Sequence, residues 1–333
     1  MFILGIETSC DETAAAVVTG DGKILSNIVL SQDEIHAPYG GIVPELASRQ
    51  HILSITYIAN EALDRAGLTL PEVDVFAVTQ GPGLIGSLLV GLSFAKGLAY
   101  AHKKPLIPVD HLEAHIHSVF LEEPDIPFPA LALLVSGGHT SLMLLEKKLQ
   151  YRILGKTRDD AAGEALDKIS KFLDLGYPGS PVIERLATDG DPEKFDFSQP
   201  KMSDGSLDYS FSGFKTAALR HIRRHKLNAD HPQLRDFLAS FEQAAVTSLL
   251  NNIERALGDT AARSLILSGG VARNSRLRRQ FKDLGQRNGI QAFLPSPVFC
   301  TDNAAMIAGL ALQKIRQGET GSLDLRLNAY ARS

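Results

Sequence analysis

The sequence predicts an α/β protein made of two similar halves, each opening with three strands and continuing with alternating helices and strands. Short apolar runs bounded by polar, glycine-containing turns alternate with longer segments of helical spacing. The order βββαβαβα found at the amino-terminal end starts again after residue 129. A length of 333 residues with 44% hydrophobic side chains is sufficient for two domains of ordinary size.

The first half begins with a meander whose strands are expected at residues 2–6, 13–19 and 24–30. Asp21-Gly22 supplies the tight turn between the second and third strands. Apolar residues at helical spacing predict a helix over residues 44–66, and Gly67 is a normal end for it. The remaining elements are a strand at 74–79, a helix at 84–102, a strand at 105–109 and a helix at 111–121.

The second half follows a linker at residues 122–129, which contains three prolines and three acidic residues. Its strands are expected at 130–136, 141–146, 150–154, 264–267 and near 292, and its helices at 160–173, 232–257, from 274, and at 301–316. Residues 187–215 are rich in Asp, Pro, Ser and Gly and predict a long surface insertion. The predicted domains are therefore 1–121 and 130–325, with the helix within 301–325 able to pack back on the first domain.

Composition excludes several classes of protein. A formal net charge of −4 argues against binding of nucleic acid over the whole surface, although basic clusters occur at residues 220–226 and 273–279. A solvated helix face is the favoured interpretation of both clusters. The two cysteines are far apart, and the amino terminus lacks the features of a secretory signal, so we expect a cytoplasmic protein. The longest apolar stretch, residues 84–101, is interrupted by Gly, Ser and Lys, which predicts a packed helix and no membrane span.

Two histidines four residues apart, His111 and His115, are the strongest local signal of a metal site. Four residues of a helix turn about 400°, so both imidazoles project to the same side and can reach one divalent cation. A zinc protease of the HExxH type needs its general-base Glu directly after the first His. The acid in this sequence is Glu113, which falls on the far face of the helix. The pair can therefore bind a metal, but it lacks the hydrolytic partner.

Glycine-containing turns follow strands in both halves, at residues 5–13, 135–140 and 267–274. Such turns bring backbone N–H groups close to a phosphate. Thr8 and Ser9 would add hydroxyl donors to the first turn, where Asp11 and Glu12 could position a cation, serve as a base or simply be solvated. A further glycine turn at 80–86 is better explained by close helix packing. Asp302 heads a predicted helix, where it would be an N-terminal cap.

The duplicated order with a polar turn after the first strand of each half is typical of the actin, Hsp70 and sugar-kinase superfold, which is ribonuclease H-like. In that superfold a nucleotide lies in the cleft between the two domains. Neither a Walker sequence nor a G-x-G-x-x-G motif is present.

Together these motifs resemble the bacterial TsaD family, once labelled O-sialoglycoprotein endopeptidases. The resemblance covers nearly the whole chain in order and at compatible spacing. The matching segments are residues 5–13, 40–49, 80–91, 111–115, 135–140, 159–168, 177–179, 211–216, 268–274 and 300–303.

The resemblance implies a tRNA-modifying acyltransferase. It would transfer the threonylcarbamoyl group from threonylcarbamoyl-AMP to N6 of the adenosine beside the anticodon in tRNAs that read codons beginning with A. One metal ion, iron (Fe2+) or alternatively zinc, would be held in the interdomain cleft by His111, His115 and Asp302. ATP, ADP or AMP could occupy the same cleft as the acyl-adenylate. The substrate-binding residues would be Leu134, Val135, Ser136, Gly137, Gly138, Asp167, Ser180, Glu184 and Asn274.

Two of these positions depart from the family pattern, since Ser180 stands where Gly is common and Glu184 where Asp is frequent. Asp11 and Glu12 are the candidate catalytic residues, with Asp11 taking the proton from the attacking amine. Implied partners are tRNA, a TsaB-like paralogue that forms a heterodimer through the first domain, a TsaE-like ATPase and an upstream threonylcarbamoyl-AMP synthase. No membrane association is implied. The apolar face around residues 86–98 is one candidate for the heterodimer interface, with internal packing as the alternative.

Three other functions compete with this one. An ATP-binding protein of the sugar-kinase or Hsp70 type would explain the duplicated fold but leaves the histidine pair without a role. A metalloprotease would explain the histidines but leaves the glycine turns unused. A scaffold without enzymatic activity would bind nucleotide and partners only.

Overall fold

A computed structural model describes residues 1–197, 202 and 204–324. The chain divides into two compact units: unit 1 contains Met1–Pro124 and the chain from Thr301 onward, and unit 2 contains Asp125–Cys300. The structure thus assigns the segment that begins at Thr301 to unit 1.

The elements run in the following order. The first part of unit 1 contains β1 (Phe2–Glu7), β2 (Glu12–Thr19), β3 (Ile24–Ser31), α1 (Asp33–His36), α2 (Pro44–Ala66), β4 (Val75–Gly81), α3 (Ile85–His102), β5 (Leu106–Asp110) and α4 (His111–His117). Unit 2 contains β6 (Ala130–Val135), β7 (Thr140–Lys147), β8 (Gln150–Lys156), α5 (Ala162–Phe172), α6 (Gly179–Ala187), α7 (Ser212–His225), α8 (Leu234–Asp259), β9 (Ser264–Ser268), α9 (Ser275–Arg287), β10 (Gln291–Phe293) and α10 (Pro297–Cys300). Helix α11 (Ala304–Arg316) then completes unit 1.

The two sheets have the same topology. In unit 1 the strand order is β3-β2-β1-β4-β5, and in unit 2 it is β8-β7-β6-β9-β10. In both sheets the first three strands pair antiparallel as a meander. The fourth strand pairs parallel with the first, and the fifth pairs parallel with the fourth. Each parallel pair needs a helical crossover, which places helices on the faces of the sheet. The duplication predicted from the order of apolar runs is therefore confirmed.

The core of unit 1 lies between its sheet and helices α2 and α3. Fully buried apolar side chains of β1 and β4 meet the inward faces of these helices, including Leu4, Phe76, Ala95 and Ala99. Gly5 allows α11 to lie directly against β1 on the other face, because a Cβ there would approach the carbonyl oxygen of Ala304 to 2.6 Å. The absence of a side chain at Gly5 thus brings the start of α11 close to the carboxyl end of β1.

Unit 2 differs from expectation between β8 and β9. Helices α6 and α7 were not predicted, and residues 188–211 between them were expected to be a surface insertion. Phe197, Tyr209 and Phe211 from this segment are buried in the core of unit 2, so the insertion is anchored by aromatic residues as well as being exposed in part. Positions 198–201 and 203 of the predicted insertion lie outside the described residues, as does position 325 at the end of the predicted second domain.

Other boundaries moved by only a few residues. The predicted helix at 111–121 is α4 followed by a 3-10 turn over Ser118–Leu121. In the described part of the chain, none of the helices combines the length and the apolar character needed to cross a bilayer.

Candidate functional site

Three potential metal ligands converge in unit 1. Helix α4 begins at the end of β5, where the side chain of Asp110 caps it by accepting a hydrogen bond from the backbone N–H of Glu113. This places His111 and His115 on one side of α4, with their rings edge to face at a centroid distance of 4.6 Å. Nε2 of His115 is 2.9 Å and Nε2 of His111 is 3.6 Å from Oδ1 of Asp302.

The donor set suits a divalent cation. The three ligand atoms lie within 4.8 Å of one another, and the histidines are buried while the Asp302 side chain is 18% exposed. Two imidazoles and one carboxylate form the protein ligand set of many catalytic zinc and non-haem iron sites, which keep further positions open. The residues present therefore fit a catalytic metal ion.

Asp302 corrects the prediction made from local sequence. We expected it to cap the helix that follows, but Asn303 is the cap, since its side chain accepts a hydrogen bond from the backbone N–H of Met306 at 3.0 Å. With Asn303 in that position, the Asp302 carboxylate is directed to the two histidines. The role implied by the family resemblance is the one that the geometry favours.

Glu7, at the end of β1, orients His111. Its side chain is fully buried, and Oε2 accepts hydrogen bonds from Nδ1 of His111 at 3.0 Å and from the hydroxyl of Thr79 at 2.7 Å. The other carboxylate oxygen accepts from the backbone N–H of Ser9. A carboxylate on Nδ1 fixes the histidine tautomer with a free Nε2, which is a common arrangement around protein-bound metals.

These neighbours also set the proton affinity of the site. Burial disfavours the charged imidazole, but the carboxylates of Asp302 and Glu7 outweigh it and raise the pKa of His111 to about 9. Burial likewise disfavours the ionised carboxylate, yet the adjacent His111 lowers the pKa of Glu7. The site is thus strongly attractive to positive charge, which a bound cation would supply in place of a proton.

The first glycine turn differs from its predicted role. The Thr8 hydroxyl donates to the carbonyl of Ser87 at 2.9 Å, and Ser9 Oγ lies 3.2 Å from Nδ1 of His111. Both hydroxyls are buried, so they serve the internal structure of unit 1 rather than a phosphate. Gly91 permits this contact, because a Cβ there would lie 2.2 Å from Thr8 Oγ1. The small residues on α3 thus allow close packing, as was favoured from the sequence.

Asp11 and Glu12 come next in the same turn, at the start of β2. Burial raises the pKa of Asp11, and the charge of Asp302 adds to that effect. Burial together with the charge of Asp11 holds the pKa of Glu12 well above its usual range. The two carboxyl groups are neighbours, and each influences the pKa of the other. Burial and the nearby acids also raise the pKa of Cys10, which makes this thiol unsuited to act as a nucleophile.

His51 is a residue that the sequence interpretation missed. It is fully buried on α2, with Nε2 3.0 Å from the carbonyl oxygen of Cys10 and Nδ1 2.8 Å from the Thr13 hydroxyl. Burial lowers its pKa, and the contact with the Cys10 carbonyl fixes the backbone just before Asp11. Glu7 was missed as well. The available signal was the same in both cases: an ionisable side chain at a position where the apolar spacing demands a core residue.

The residues predicted to bind the adenylate are all in unit 2 and belong to one connected region. Leu134 and Val135 end β6, and Ser136, Gly137 and Gly138 form the turn to β7. Gly163, at the start of α5, lets this turn approach the helix, since a Cβ there would lie 2.6 Å from the Ser136 carbonyl oxygen. Gly269, with φ of +93°, similarly allows the turn after β9 to touch the Val135 carbonyl.

The acidic residues of the set accept hydrogen bonds from backbone N–H groups at the amino-terminal ends of neighbouring helices. Oδ1 of Asp167 on α5 accepts hydrogen bonds from the backbone N–H groups of Gly179 at 2.8 Å and Ser180 at 3.3 Å, at the start of α6. Glu184 accepts one from the backbone N–H of Ser275 at 2.8 Å, at the start of α9.

Asn274 caps α9 by accepting from the backbone N–H of Leu277 at 2.9 Å, and it donates to the buried carboxylate of Glu242 at 2.5 Å. Glu242 also accepts from Arg276 at 2.7 Å. Helix amino termini and glycine turns together are a favourable environment for a phosphate.

Comparison with solved structures supports the fold. The chain is similar to component A of (R)-2-hydroxyglutaryl-CoA dehydratase from Acidaminococcus fermentans, with a TM-score of 0.56 at 14% identity over 95% of this chain and 99% of that one. It is similar to the HypF protein of T. kodakarensis, with a TM-score of 0.62 at 16% identity over 98% of this chain and 49% of that one. A ROK hexokinase from Thermus thermophilus matches with a TM-score of 0.50 at 15% identity over 96% and 100% of the two chains. The predicted two-domain actin, Hsp70 and sugar-kinase fold is confirmed.

Comparison of sequences identifies the family. A family model described as TsaD, tRNA N6-adenosine threonylcarbamoyltransferase, matches residues 23–309. A protein of that name from Geotalea uraniireducens is 51% identical over 308 residues, which cover 92% of this chain and 90% of the relative. Another from Syntrophotalea carbinolica is 48% identical over 98% of this chain and 95% of the relative. The family resemblance read from the motifs is therefore confirmed. The chain belongs to the TsaD family of tRNA N6-adenosine threonylcarbamoyltransferases.

Proposed function

We propose that this enzyme transfers the threonylcarbamoyl group from threonylcarbamoyl-AMP to N6 of the adenosine beside the anticodon, in tRNAs that read codons beginning with A. The observation that carries the metal-dependent part of this proposal is the convergence of His111 Nε2, His115 Nε2 and Asp302 Oδ1, with Glu7 bound to the far nitrogen of His111. A cytoplasmic location accompanies the proposal, since the acceptor is tRNA.

His111, His115 and Asp302 would hold one divalent cation, with Fe2+ preferred and Zn2+ as the alternative, since two imidazoles and one carboxylate are good ligands for both. When bound, such a cation would supply a Lewis acid that polarises a carbonyl or phosphoryl oxygen. Glu7 would keep Nε2 of His111 available for it through the hydrogen bond to Nδ1.

The adenylate would bind to unit 2. The backbone N–H groups of Ser136, Gly137 and Gly138 would face its phosphate. Asp167, Ser180, Glu184 and Asn274 would shape the site, with Asp167 and Glu184 already fixed by the helix starts that they cap. ATP, ADP or AMP would compete for these groups because they share the adenosine phosphate.

The transfer itself needs no covalent intermediate with the protein. The N6 nitrogen attacks the carbamoyl carbon, a new N–C bond forms, and the bond between that carbon and the phosphate oxygen breaks, so that AMP leaves with the electron pair. The amine loses one proton, which Asp11 would accept. Its raised pKa makes it a better base than an exposed aspartate.

A TsaB-like paralogue is the partner that unit 1 is suited to bind. Large apolar side chains are exposed along α2 and α3, which pack side by side. The most exposed are Leu53 at 76% and Tyr100 at 77%, and Ile52, Tyr57, Ile85 and Leu89 accompany them. An exposed apolar patch of this kind is typical of a protein interface. A TsaE-like ATPase and an upstream synthase that makes the acyl-adenylate complete the proposed system.

Reconstitution tests the proposed function. The protein is combined with threonylcarbamoyl-AMP, the partner proteins and unmodified tRNA, and formation of the modified nucleoside is measured. We expect His111→Ala to lose nearly all transfer. The matched control is Glu113→Gln on the same helix. Burial raises the pKa of Glu113, and the charges that act on it are those of Lys314, Asp110 and Glu319, none of them a proposed ligand.

The assay also separates the competing functions. A metalloprotease would cleave peptides and lose that activity on chelation, whereas the transferase should modify tRNA and tolerate the change of Glu113 to Gln. Rapid ATP hydrolysis without transfer, unaffected by His111→Ala, would contradict the proposed function and favour the sugar-kinase or Hsp70 type.

A further inference from the structure

The outward face of α7 and the residue after it carry a cluster of exposed basic side chains. Phe214, Ala218 and Ile222 are buried against the core, whereas Arg220 and Arg224 are exposed on the opposite side of the helix. Arg223 and Lys226 are exposed beside them. The spacing of 220, 223 and 224 places three guanidinium groups on one face.

These cations lie in a stretch of sequence without acidic residues. No aspartate or glutamate occurs between Asp208 and Asp230. Within the described ranges 1–197 and 204–324, Arg220, Arg223, Arg224 and Lys226 form no ion pair with an acid. The acids of the adjacent helix α5 are engaged elsewhere, because Glu164 pairs with Lys168, and Asp167 holds the start of α6.

The other basic cluster of the chain has a different explanation. On α9, Arg276 pairs with the buried Glu242, and Arg278 donates to the carbonyls of Ala272 and Pro295 at 3.1 Å. Those arginines stabilise unit 2 internally. Within the described residues, Arg220, Arg224 and Lys226 make no such internal contact, although Arg223 and Arg224 lie in the last turn of α7, where the helix dipole favours cations.

An exposed aromatic ring lies beside this basic face. Phe172, the last residue of α5, is 43% exposed, and the guanidinium carbon of Arg223 is 5.3 Å from its ring centroid. An aromatic ring next to arginine is a common platform for an unpaired base, while neighbouring arginines contact phosphates.

We propose that Arg220, Arg223, Arg224 and Lys226, together with Phe172, form a contact surface for the tRNA substrate. Arg220, Arg224 and Lys226 bind backbone phosphates, and Phe172 with Arg223 stacks on an unpaired base. The positive charge and the aromatic ring together favour RNA as the ligand of this surface. The identification of that RNA as the tRNA substrate rests on the proposed function. A chain of net charge −4 gains a local site for a polyanion in this way.

The first test is a pair of double variants. Arg220→Gln with Arg224→Gln removes two proposed phosphate contacts, and Arg279→Gln with Arg287→Gln removes two exposed arginines of α9 as a control for charge. Each variant is assayed in the reconstituted transferase system at several tRNA and KCl concentrations. Equilibrium binding of the same tRNA is measured separately, and thermal unfolding verifies that each variant is folded.

For the α7 variant we expect KM for tRNA to rise roughly tenfold, with kcat at saturating tRNA unchanged. The slope of log Kd against log salt should fall by about 0.7 to 0.9 for each phosphate contact removed. Phe172→Ala should weaken tRNA binding without changing that slope, because stacking releases no counterions. The α9 control should match wild type in both measurements.

Two results would overturn the proposal. In one, the α7 variant binds tRNA with wild-type affinity and salt dependence. In the other, the α7 variant keeps wild-type tRNA binding but loses assembly with a partner protein, which would assign the surface to an acidic protein instead. Failure of wild type to modify tRNA while still binding it would count against the proposed function and leave the surface in place.

Discussion

Replacement of Glu7 by glutamine tests the proposed metal site without changing any ligand. The carboxylate uses one oxygen for the backbone N–H of Ser9 and the other for Nδ1 of His111 and the Thr79 hydroxyl. Glutamine has the same shape but offers one acceptor oxygen and one NH2 donor. It cannot reproduce both sides of this arrangement.

Each orientation of the amide has a defined cost. If the amide oxygen faces Ser9, the NH2 group faces Nδ1 of His111, and Nδ1 must then accept a hydrogen bond. The ring proton therefore moves to Nε2, which is the atom that should bind the cation. If the amide is reversed, its NH2 group meets the N–H of Ser9, and a buried donor loses its acceptor at a cost of about 1–3 kcal/mol. Loss of an outer partner of this kind lowers metal affinity about 10–100-fold. This corresponds to about 1.4–2.7 kcal/mol of binding free energy.

The measurement is the dissociation constant for Zn2+, obtained by competition with a metal-binding dye, with Fe2+ content after anaerobic loading as a second readout. Thr79→Val is the control, since it removes a hydroxyl donor from the same carboxylate and leaves the bond to His111 in place. We expect a clearly smaller loss of affinity in the control. Wild-type affinity in Glu7→Gln would refute the assignment of Glu7 as the group that orients His111.

Three further predictions follow from the described contacts. Removal of the metal with a chelator should abolish transfer, and restoration by added Fe2+ or Zn2+ should be absent in Asp302→Ala, as measured by nucleoside formation. Leu53→Glu should prevent assembly with the TsaB-like partner in size-exclusion chromatography while the isolated chain remains folded, because the side chain is 76% exposed; an unchanged complex would exclude this face. Asp160→Asn should lower the free energy of unfolding by about 1–2 kcal/mol at neutral pH, since the carboxylate accepts charge-assisted hydrogen bonds from Lys168 and Lys215. Burial would raise the pKa of Asp160, but the two lysines lower it overall. The contribution of this carboxylate to the free energy of unfolding is therefore fully present above pH 3.8, its usual pKa, and is lost as the pH falls through the lowered pKa. The difference between wild type and Asp160→Asn in urea unfolding should therefore shrink below about pH 4, and a difference independent of pH would contradict this account.

Elements with a strong local pattern could be predicted from the sequence. The meander, the long helices and the parallel strands follow from apolar periodicity, and the histidine pair follows from helical geometry alone. Helices α6 and α7 were missed because they lie in or beside a segment dominated by Asp, Pro, Ser and Gly. The aromatic residues that anchor this segment give no signal until their partners in the core are known.

Most of the site residues that local sequence patterns failed to identify depend on interactions between distant parts of the chain. Asp302 looks like a helix cap in local sequence, and only its position 2.9 Å from His115, 187 residues earlier, distinguishes it from its neighbour Asn303. Glu7 and His51 are in the same category, because each is a buried ionisable residue whose partner is remote in sequence. The family resemblance supplied Asp302 as the third proposed ligand, which local patterns could not.

The long sequence separation between His115 and Asp302 has a consequence for biosynthesis. A ribosome releases His111 and His115 well before it reaches Asp302, and α11, which covers β1, is made after the whole of unit 2. A fragment that stops at Pro124 therefore lacks both a proposed ligand and the helix against Gly5. Circular permutation that starts at Thr301 and joins that segment to Met1 would make unit 1 continuous, and all three proposed ligands would then be synthesised before unit 2.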